Sequence, residues 1–235
     1  MIQKKYENTA KAVADIHDGA TLLVGGFGGS GLPSHLIAAL VSQGAKNLTV
    51  VSNNIGAVSD GVAELISNNQ VKKIICSFPV GPHADDLIAR LQNGTIELEI
   101  APQGTLAERI RAGGAGVPAF YTPTAAHTEL GEGKETRMFN GRLHVLEHAI
   151  VGDYAFIKGH KADRWGNLVY NKTQRNFNPV MATAAKITIA EVDELVPVGE
   201  LDPNFVHTPG IYVHRIFQGV NYEKRIEQRT TRKRS

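Results

Sequence analysis

Cysteine is almost absent from this chain of 235 residues, which contains only Cys76. One cysteine excludes an internal disulfide, and its place in an apolar segment predicts a buried core residue rather than a reactive thiol. No apolar run approaches the roughly 20 residues that a membrane-spanning helix needs, and the amino terminus lacks the apolar core of a secretory signal. We therefore expect a cytoplasmic protein that does not contact a membrane.

A strong charge of one sign is also missing, because 25 Lys and Arg residues face 23 Asp and Glu residues. The positive excess lies at the carboxyl end, where residues 221–235 contain six basic and two acidic residues. Short basic termini are commonly solvated tails, and the rest of the chain has no pattern typical of a nucleic-acid surface. We predict one large domain over residues 1–220, followed by a basic tail over residues 221–235.

Glycine is concentrated between a predicted strand at Thr21–Val24 and a predicted helix over residues 33–41. The connecting segment, called the glycine loop here, consists of Gly25, Gly26, Phe27, Gly28, Gly29, Ser30 and Gly31. Glycines remove the Cβ atoms that would keep a ligand away from the backbone, and a helix start offers unpaired N–H groups. We predict that the glycine loop binds a phosphate, a carboxylate or a developing oxyanion.

The glycine loop also fits the dinucleotide fingerprint Gly-x-Gly-x-x-Gly, starting at Gly26. That fingerprint requires an acidic residue about 20 positions later, at the end of the second strand, to bind the ribose. Here the second predicted strand, residues 48–52, is followed by the amides Asn53 and Asn54. The sequence therefore disfavours a nicotinamide or flavin site.

Three amide side chains follow predicted strands and are candidates for substrate contacts. Asn53 and Asn54 follow the second strand, and Gln103 follows a strand over residues 96–101. Ligands of parallel sheets bind beyond the carboxyl ends of the strands, so these amides and the glycine loop can line one crevice. The N–H groups of amides can donate hydrogen bonds to a carboxylate or thioester oxygen. The usual role of asparagine, however, is in a turn or a helix cap.

Other polar residues receive structural interpretations. Thr105 and Glu108 fit a capping box for the helix after Gln103. Residues 175–179, Arg-Asn-Phe-Asn-Pro, predict a loop that ends in an Asn178 cap, with proline at the first helical position.

A zinc pattern occurs at His144, Glu147 and His148, but its geometry disfavours a metal. Zinc peptidases place these residues on a helix, whereas the Asn140-Gly141 pair predicts a hairpin and an extended segment after it. At about 3.3 Å per residue the two imidazoles would lie about 13 Å apart, too far to share one ion. We therefore predict no metal site.

Strand-like and helical segments alternate through the first half of the chain, and extended segments dominate the second half. Strands are predicted at residues 21–24, 48–52, 73–78, 96–100, 155–158, 167–170, 187–192 and 211–217, and helices at residues 8–17, 33–41, 60–67 and 84–92. This order predicts an α/β fold, with a mainly parallel sheet flanked by helices and an additional mixed or antiparallel section.

The segment from Asp18 to Pro33 resembles the signature of the first subunit of family I (3-oxoacid) CoA-transferases. That signature has an acid and a glycine, an apolar run, Gly-Gly-Phe, and a later glycine and proline, all of which occur here. Further blocks that resemble the succinyl-CoA:3-oxoacid branch follow in order, at residues 51–54, 102–116, 118–124, 175–179, 199–203 and 210–214. The resemblance extends over nearly the whole chain and implies the CoA-transferase fold.

The resemblance also implies the reaction, a transfer of CoA from succinyl-CoA to a 3-oxo acid such as acetoacetate. A glutamate attacks the acyl-CoA, passes through a mixed anhydride and then holds CoA as a thioester. In the family this glutamate lies in the second subunit, within a Ser-Glu-Asn-Gly motif that is missing here. The resemblance thus implies an α subunit, in a hetero-oligomer of two α and two β subunits. Gln103, Asn53, Asn54 and the glycine loop would line its side of the site, with CoA as part of the substrate and no tightly bound cofactor.

Three segments depart from the family pattern, at residues 55–60, 78–83 and 125–127. They leave the acceptor acid open, so an acetate or acetoacetate branch is an alternative. Two alternatives come from other classes, a sugar-phosphate isomerase on a related fold and a non-catalytic CoA-binding module. An isomerase would bind phosphate at the glycine loop, whereas a binding module would gain no transferase activity with any partner.

Overall fold

The computed structural model describes residues 4–55, 61–81 and 84–222, which form two β-sheets and six α-helices. The larger sheet contains β1 (Thr21–Val24), β2 (Leu48–Asn54), β3 (Val71–Phe78), β4 (Glu97–Ile100), β8 (Gly152–Asp163), β9 (Leu168–Val169), β10 (Ala185–Val196) and β11 (Arg215–Gln218). The smaller sheet contains β5 (Ala119–Thr122), β6 (Thr136–Phe139) and β7 (Arg142–His148). The helices are α1 (Thr9–Val13), α2 (Ser34–Gln43), α3 (Val62–Ser67), α4 (Asp85–Gln92), α5 (Gln103–Gly114) and α6 (Asn178–Thr183). None of these described helices has the length and apolar character needed to span a bilayer.

The larger sheet has parallel strands in the order β11-β10-β8-β1-β2-β3-β4, with β9 antiparallel to β8. From β1 the chain winds outward through β2 and β3 to β4. It then returns to the other side of β1 with β8 and winds in the opposite direction through β10 to β11. This reversal lies between β1 and β8, where Val24 pairs with Phe156. Ligands of open parallel sheets bind at such a reversal, beyond the carboxyl ends of the strands.

Apolar side chains cover both faces of the larger sheet, as expected for parallel strands buried on two sides. Helices α1 to α4 pack on one face, around residues such as Leu22 and Phe156. Helices α5 and α6 pack on the other face, around residues such as Leu23 and Ile157. Cys76 is buried on β3, and burial raises the pKa of its thiol to about 11, which confirms the prediction of an inert core residue.

The predicted fold class is confirmed, and most first-half elements lie where the sequence placed them. Strand β2 is two residues longer than predicted, so Asn53 and Asn54 end the strand instead of following it. The predicted hairpin joins β6 to β7, and both Asn140 (φ +49°) and Gly141 (φ +74°) have the left-handed backbone that its turn requires. His144 and its zinc-pattern partners therefore lie on an extended strand, as predicted.

The two predicted caps are wrong. Pro102, whose fixed φ suits a helix start, is the N-cap of α5, so Thr105 lies inside the helix and Glu108 pairs with Arg111 instead. The N-cap of α6 is Phe177, so Asn178 is the first helical residue, and its side chain bonds to the backbone of β8 instead. The last strand also begins later than predicted, because residues 210–212 form a 3₁₀ turn. Of the predicted basic tail, residues 223–235 lie outside the described part of the chain.

A chain of charged side chains connects α5 to both sheets. Arg109 on α5 donates to Glu99 of β4 at 2.6 Å and to the His148 carbonyl of β7 at 2.8 Å. Lys73 of β3 pairs with the same Glu99 at 2.8 Å, and Glu147 of β7 lies 3.8 Å from the Arg109 guanidinium. Burial opposes ionisation of Glu99, but its bonds with Lys73 and Arg109 prevail and hold its pKa below the usual range. This network fixes the helix that begins at Gln103.

A bidentate ion pair connects the amino-terminal segment to the edge strand β11. Arg215 donates to both carboxylate oxygens of Asp15 at 2.6 Å, and to the Ala12 carbonyl of α1 at 2.7 Å. These bonds from Arg215 hold the pKa of the Asp15 carboxyl below its ordinary value of 3.8. Asp15 therefore stabilises the fold at pH values above 3.8, and this contribution is lost as the pH falls through the lower folded-state pKa.

We predict that Asp15→Asn lowers the free energy of unfolding by about 1 kcal/mol at pH 7, as expected for a partly exposed bidentate pair. The difference from the unmodified protein should shrink towards zero as the pH falls from 3.8 through the lower folded-state pKa, because the unfolded chain binds the proton more readily than the folded protein. Urea unfolding at a series of pH values measures both effects. Glu97→Gln is the control, since Glu97 is exposed on β4 and has no ion pair with another described residue. A pH-independent difference for Asp15→Asn would contradict the assignment.

Candidate functional site

The glycine loop and the three predicted amides lie together at the carboxyl edge of the larger sheet. The glycine loop follows β1, at the reversal of the winding between β1 and β8. Asn53 and Asn54 end the neighbouring strand β2, and Gln103 begins α5 just beyond β4. Hydrogen bonds join all of these parts into one arrangement.

The glycine loop folds back on itself in a tight turn. Phe27 and Ser30 exchange backbone hydrogen bonds of 3.0 and 3.1 Å, with Gly28 and Gly29 between them. Gly28 has φ +61° and Gly26 has φ +120°, conformations that side chains with a Cβ rarely adopt. The turn presents the N–H of Gly28 to Asn54 Oδ1 at 2.7 Å and leaves Phe27 52% exposed. Backbone conformation alone therefore accounts for glycine at positions 26 and 28.

The three amides form a hydrogen-bonded group, called the amide cluster here. Asn53 Oδ1 accepts from Gln103 Nε2 at 2.8 Å and from the Ser77 hydroxyl at 2.9 Å. Asn53 Nδ2 donates to Asn54 Oδ1 at 3.2 Å, the same oxygen that accepts from Gly28. Asn53 is buried whereas Gln103 is exposed, so the cluster has a fixed inner end and an accessible outer end.

The amide cluster supplies hydrogen-bond donors without a charge. Asn54 Nδ2 makes no hydrogen bond to another described residue, and the exposed Gln103 Nε2 uses only one of its two hydrogens for Asn53. Donors fixed in this way stabilise negative charge that develops on an oxygen. All hydrogen-bonded members of the cluster are neutral, so they provide no carboxylate nucleophile.

Asn178, a predicted helix cap, instead holds the glycine loop against β8. Asn178 is fully buried and donates through Nδ2 to the Gly31 carbonyl at 3.0 Å and to the Gln174 carbonyl at 2.8 Å. Its Oδ1 accepts from the backbone N–H of Lys158 on β8 at 2.8 Å. A Cβ at Gly25 would overlap the Asn178 side chain, so this glycine makes room for a residue of the protein itself.

The sequence predicts that the N–H groups at the amino terminus of α2 bind an anionic ligand, but a side chain of the protein binds there. The buried carboxylate of Glu191, on β10, accepts from the Leu36 N–H at 3.0 Å and lies 3.2 Å from His35 Nδ1. Lys158 lies 3.8 Å from Glu191 and 2.6 Å from Asp193, and burial lowers the pKa of its ammonium group. The carboxylate of Glu191 thus already occupies the helix start at which a ligand was expected.

Two signals in the sequence point to these missed residues. Asn178 belongs to the block at residues 175–179, whose resemblance to the family does not require a capping role. Glu191 interrupts the apolar run at residues 187–192, and a charge in a buried strand needs a partner. Neither signal identifies that partner, because Leu36 and Gly31 are more than 140 positions away in the chain.

Comparisons with known proteins agree on one family. The Coenzyme A transferase family model matches residues 6–219. The A subunit of succinyl-CoA:3-ketoacid coenzyme A transferase from Helicobacter pylori strain J99 is 53% identical over 231 residues, which cover 98% of this chain and 99% of that protein. The A subunit of 3-oxoadipate CoA-transferase from Pseudomonas putida is 52% identical over 216 residues, covering 92% of this chain and 94% of that protein.

The fold has a counterpart among solved structures. The crystal structure of the acyl-CoA transferase YdiF from E. coli O157:H7, in a thioester complex with CoA, superposes with a TM-score of 0.80. The match covers 94% of this chain and 48% of the YdiF chain, at 21% sequence identity, so it concerns the fold. The family match over residues 6–219 and the two relatives above 50% identity show that this chain belongs to the coenzyme A transferase family.

Proposed function

We propose that this chain is the α subunit of an enzyme that transfers CoA from succinyl-CoA to a 3-oxo acid such as acetoacetate. The observation that carries the proposal is the neutral amide cluster beside the glycine loop, which offers oxyanion donors but no nucleophile. The family assignment supports CoA as the transferred group, and the Helicobacter pylori relative supports succinyl-CoA and a 3-oxo acid as reactants. The same assignment disfavours the sugar-phosphate isomerase and the non-catalytic CoA-binding module.

The proposed reaction passes through two anhydrides and one thioester. A glutamate carboxylate from the β partner attacks the succinyl-CoA carbonyl and expels the CoA thiolate, which leaves a succinyl-glutamyl anhydride. The thiolate then attacks the glutamyl carbonyl, releases succinate and leaves CoA bound to the glutamate as a thioester. The acceptor carboxylate attacks this thioester and frees the thiolate, which attacks the acyl carbonyl of the new anhydride and regenerates the glutamate.

The residues of this chain act on the oxygen atoms in the proposed reaction. Each carbonyl attack places negative charge on an oxygen. The free N–H groups of Gln103 and Asn54 can stabilise that charge by donating hydrogen bonds to the oxygen. Asn53 orients Gln103 through the bond of 2.8 Å, and the glycine loop orients Asn54 through Gly28. A neutral site serves this purpose because a second carboxylate beside the nucleophile would disfavour the ionised glutamate.

The proposal includes a partner and a setting. The two relatives are each named as one lettered subunit of an enzyme, which supports a second kind of subunit here. We propose a complex of two α and two β subunits in the cytoplasm. CoA enters as part of the substrate, and the proposed chemistry requires no tightly bound cofactor. The domain of residues 1–220 would form the α side of the site.

The acceptor acid has a second candidate. The Pseudomonas putida relative, named for 3-oxoadipate, is almost as similar to this chain as the Helicobacter pylori relative. Acetoacetate and 3-oxoadipate share the 3-oxo acid group and differ in a second carboxylate, which lies away from the reacting carboxylate. The amide cluster would contact atoms that both acids have in common. Residues elsewhere in the site would therefore have to distinguish acetoacetate from 3-oxoadipate.

We predict that the chain alone does not transfer CoA and that adding its β subunit restores the transfer, because the amide cluster contains no nucleophile. Acetoacetyl-CoA formation from succinyl-CoA and acetoacetate measures the activity. A β subunit whose candidate nucleophile is changed from Glu to Gln is the control and should leave the complex inactive. Full activity of the isolated chain would contradict the proposal.

We predict that the complex uses 3-oxo acids at least tenfold better than acetate, as judged by kcat/KM with succinyl-CoA as the donor. A tenfold preference corresponds to about 1.4 kcal/mol, which a single additional polar contact to the 3-oxo group can supply. Acetoacetate, 3-oxoadipate and acetate form the panel. A preference for acetate would assign the chain to the acetate alternative.

We predict that Gln103→Ala lowers kcat by about 100-fold or more in the complex, as expected for the loss of one oxyanion donor. The melting temperature should change little, since the Gln103 side chain is exposed. Gln92→Ala is the matched control, because Gln92 is an exposed glutamine at the end of α4. Unchanged turnover in Gln103→Ala would remove this residue from the site.

A further inference from the structure

We infer that Asn178 is a positioning residue for the reaction, which sets the conformation of the glycine loop and, through it, the orientation of the amide cluster. The inference rests on the proposed function, because it treats the glycine loop and the amide cluster as the oxygen-binding side of the site. Asn178 itself is fully buried, so it would act through the glycine loop and not by touching the substrate.

Asn178 bridges the crevice where the winding of the sheet reverses. Its Oδ1 accepts from the Lys158 N–H on β8, at 2.8 Å. Its Nδ2 donates to the Gly31 carbonyl at the end of the glycine loop, at 3.0 Å, and to the Gln174 carbonyl at 2.8 Å. One side chain therefore connects β8 to the end of the glycine loop that follows β1.

The glycine loop is shaped to receive this side chain. A Cβ at Gly25 would overlap Asn178 Oδ1, and a Cβ at Gly31 would lie 2.8 Å from Asn178 Nδ2. Both ends of the glycine loop thus lack side chains where Asn178 lies. The neighbouring Asn176 adds a second bond, from its Nδ2 to the Ser30 carbonyl at 2.9 Å. Two successive carbonyls of the glycine loop are therefore held by amide donors.

A continuous set of hydrogen bonds leads from Asn178 to the reacting side of the site. The held carbonyl of Gly31 ends the turn in which Phe27 and Ser30 pair. That turn aims the Gly28 N–H at Asn54 Oδ1, and the same oxygen accepts from Asn53. A displacement of the glycine loop would move the donor that orients Asn54.

The chemistry of the position requires a short primary amide. Asn178 is fully buried, accepts one hydrogen bond and donates to two carbonyls, with a longer contact of 3.4 Å from its Nδ2 to Asn176 Oδ1. Only the amides of Asn and Gln offer an acceptor oxygen and two N–H donors on one planar group. Glutamine is one methylene longer, and the space between Gly25 and Gly31 is already filled. Aspartate keeps the acceptor for Lys158 but, when ionised, faces the carbonyls of Gly31 and Gln174 with negative charge.

The test compares Asn178→Asp with Gln70→Glu in the complex with the β subunit. Gln70 is also a buried amide that donates to two carbonyls, those of Leu40 and Ala45, both at 3.0 Å. It lies before β3, at the opposite edge of the sheet from the amide cluster. Each variant therefore replaces a buried amide that donates to two carbonyls with a carboxyl group, in one case near the site and in the other far from it.

We expect Asn178→Asp to lower kcat at least tenfold at pH 8, well below the melting temperature of each variant. The deficit should shrink as the pH falls, because the protonated carboxyl regains one donor for the carbonyls, and burial raises its pKa. Gln70→Glu should lose thermal stability but keep kcat and KM near those of the unmodified complex. Equal kinetic effects of the two variants, or a pH-independent deficit, would overturn the inference.

Two further measurements separate this inference from the proposed function. Amide hydrogen exchange of residues 25–31 should accelerate in Asn178→Asp and remain unchanged in Gln70→Glu, whether or not the complex transfers CoA. If exchange is unchanged, Asn178 does not hold the glycine loop and the inference fails, whereas an inactive unmodified complex would refute the proposed function. Asn178→Ser introduces no charge, and we expect it to fold and to lower kcat, with normal turnover again overturning the inference.

Discussion

The hydrogen-bonding requirement of the backbone at the β1/β8 reversal constrains the rest of the site. Strand β1 ends at Val24 whereas β8 continues to Asp163, so the backbone groups of β8 that face β1 beyond Phe156 have no partner in that strand. Asn178 satisfies groups on both sides, and the N–H of Gly25 bonds to the Phe156 carbonyl at 2.9 Å. The crevice in which a ligand would bind is thereby given a fixed shape before any ligand arrives.

Neutral and charged polar groups occupy separate parts of this edge. The amide cluster and Asn178 are neutral, whereas the charges of Lys158, Glu191 and Asp193 lie around the start of α2. Glu191 also uses the helix start that would otherwise attract a foreign anion. In the proposed reaction the amide donors and the glycine loop would therefore bind the substrate oxygens, an arrangement that favours developing charge over a permanently bound phosphate.

Local patterns predicted the elements well, because strands and helices depend on apolar periodicity and on turn residues close in sequence. The bounds of β1, the Asn140-Gly141 hairpin and the grouping of Asn53, Asn54 and Gln103 all follow from such patterns. The wrong cap at Asn178 shows the limit, since asparagine has the same local preference whether its side chain caps a helix or bonds to distant backbone groups. Asn178 meets Gly31 across 147 positions, and only the completed sheet brings them together.

The division of the proposed site between two chains follows from the same chemistry. A carboxylate nucleophile needs a desolvated pocket, yet an unpaired buried charge within one chain would destabilise that chain before the substrate binds. The amide cluster avoids this cost because its members are neutral and hydrogen-bonded to one another, while Gln103 remains exposed. This chain would thus be stable with its donors in place before the nucleophile arrives. The nucleophile of the proposed β subunit would lose its water only when the subunits associate. In the proposed complex assembly would then be a condition of catalysis, because the environment that activates the carboxylate would form only at the interface.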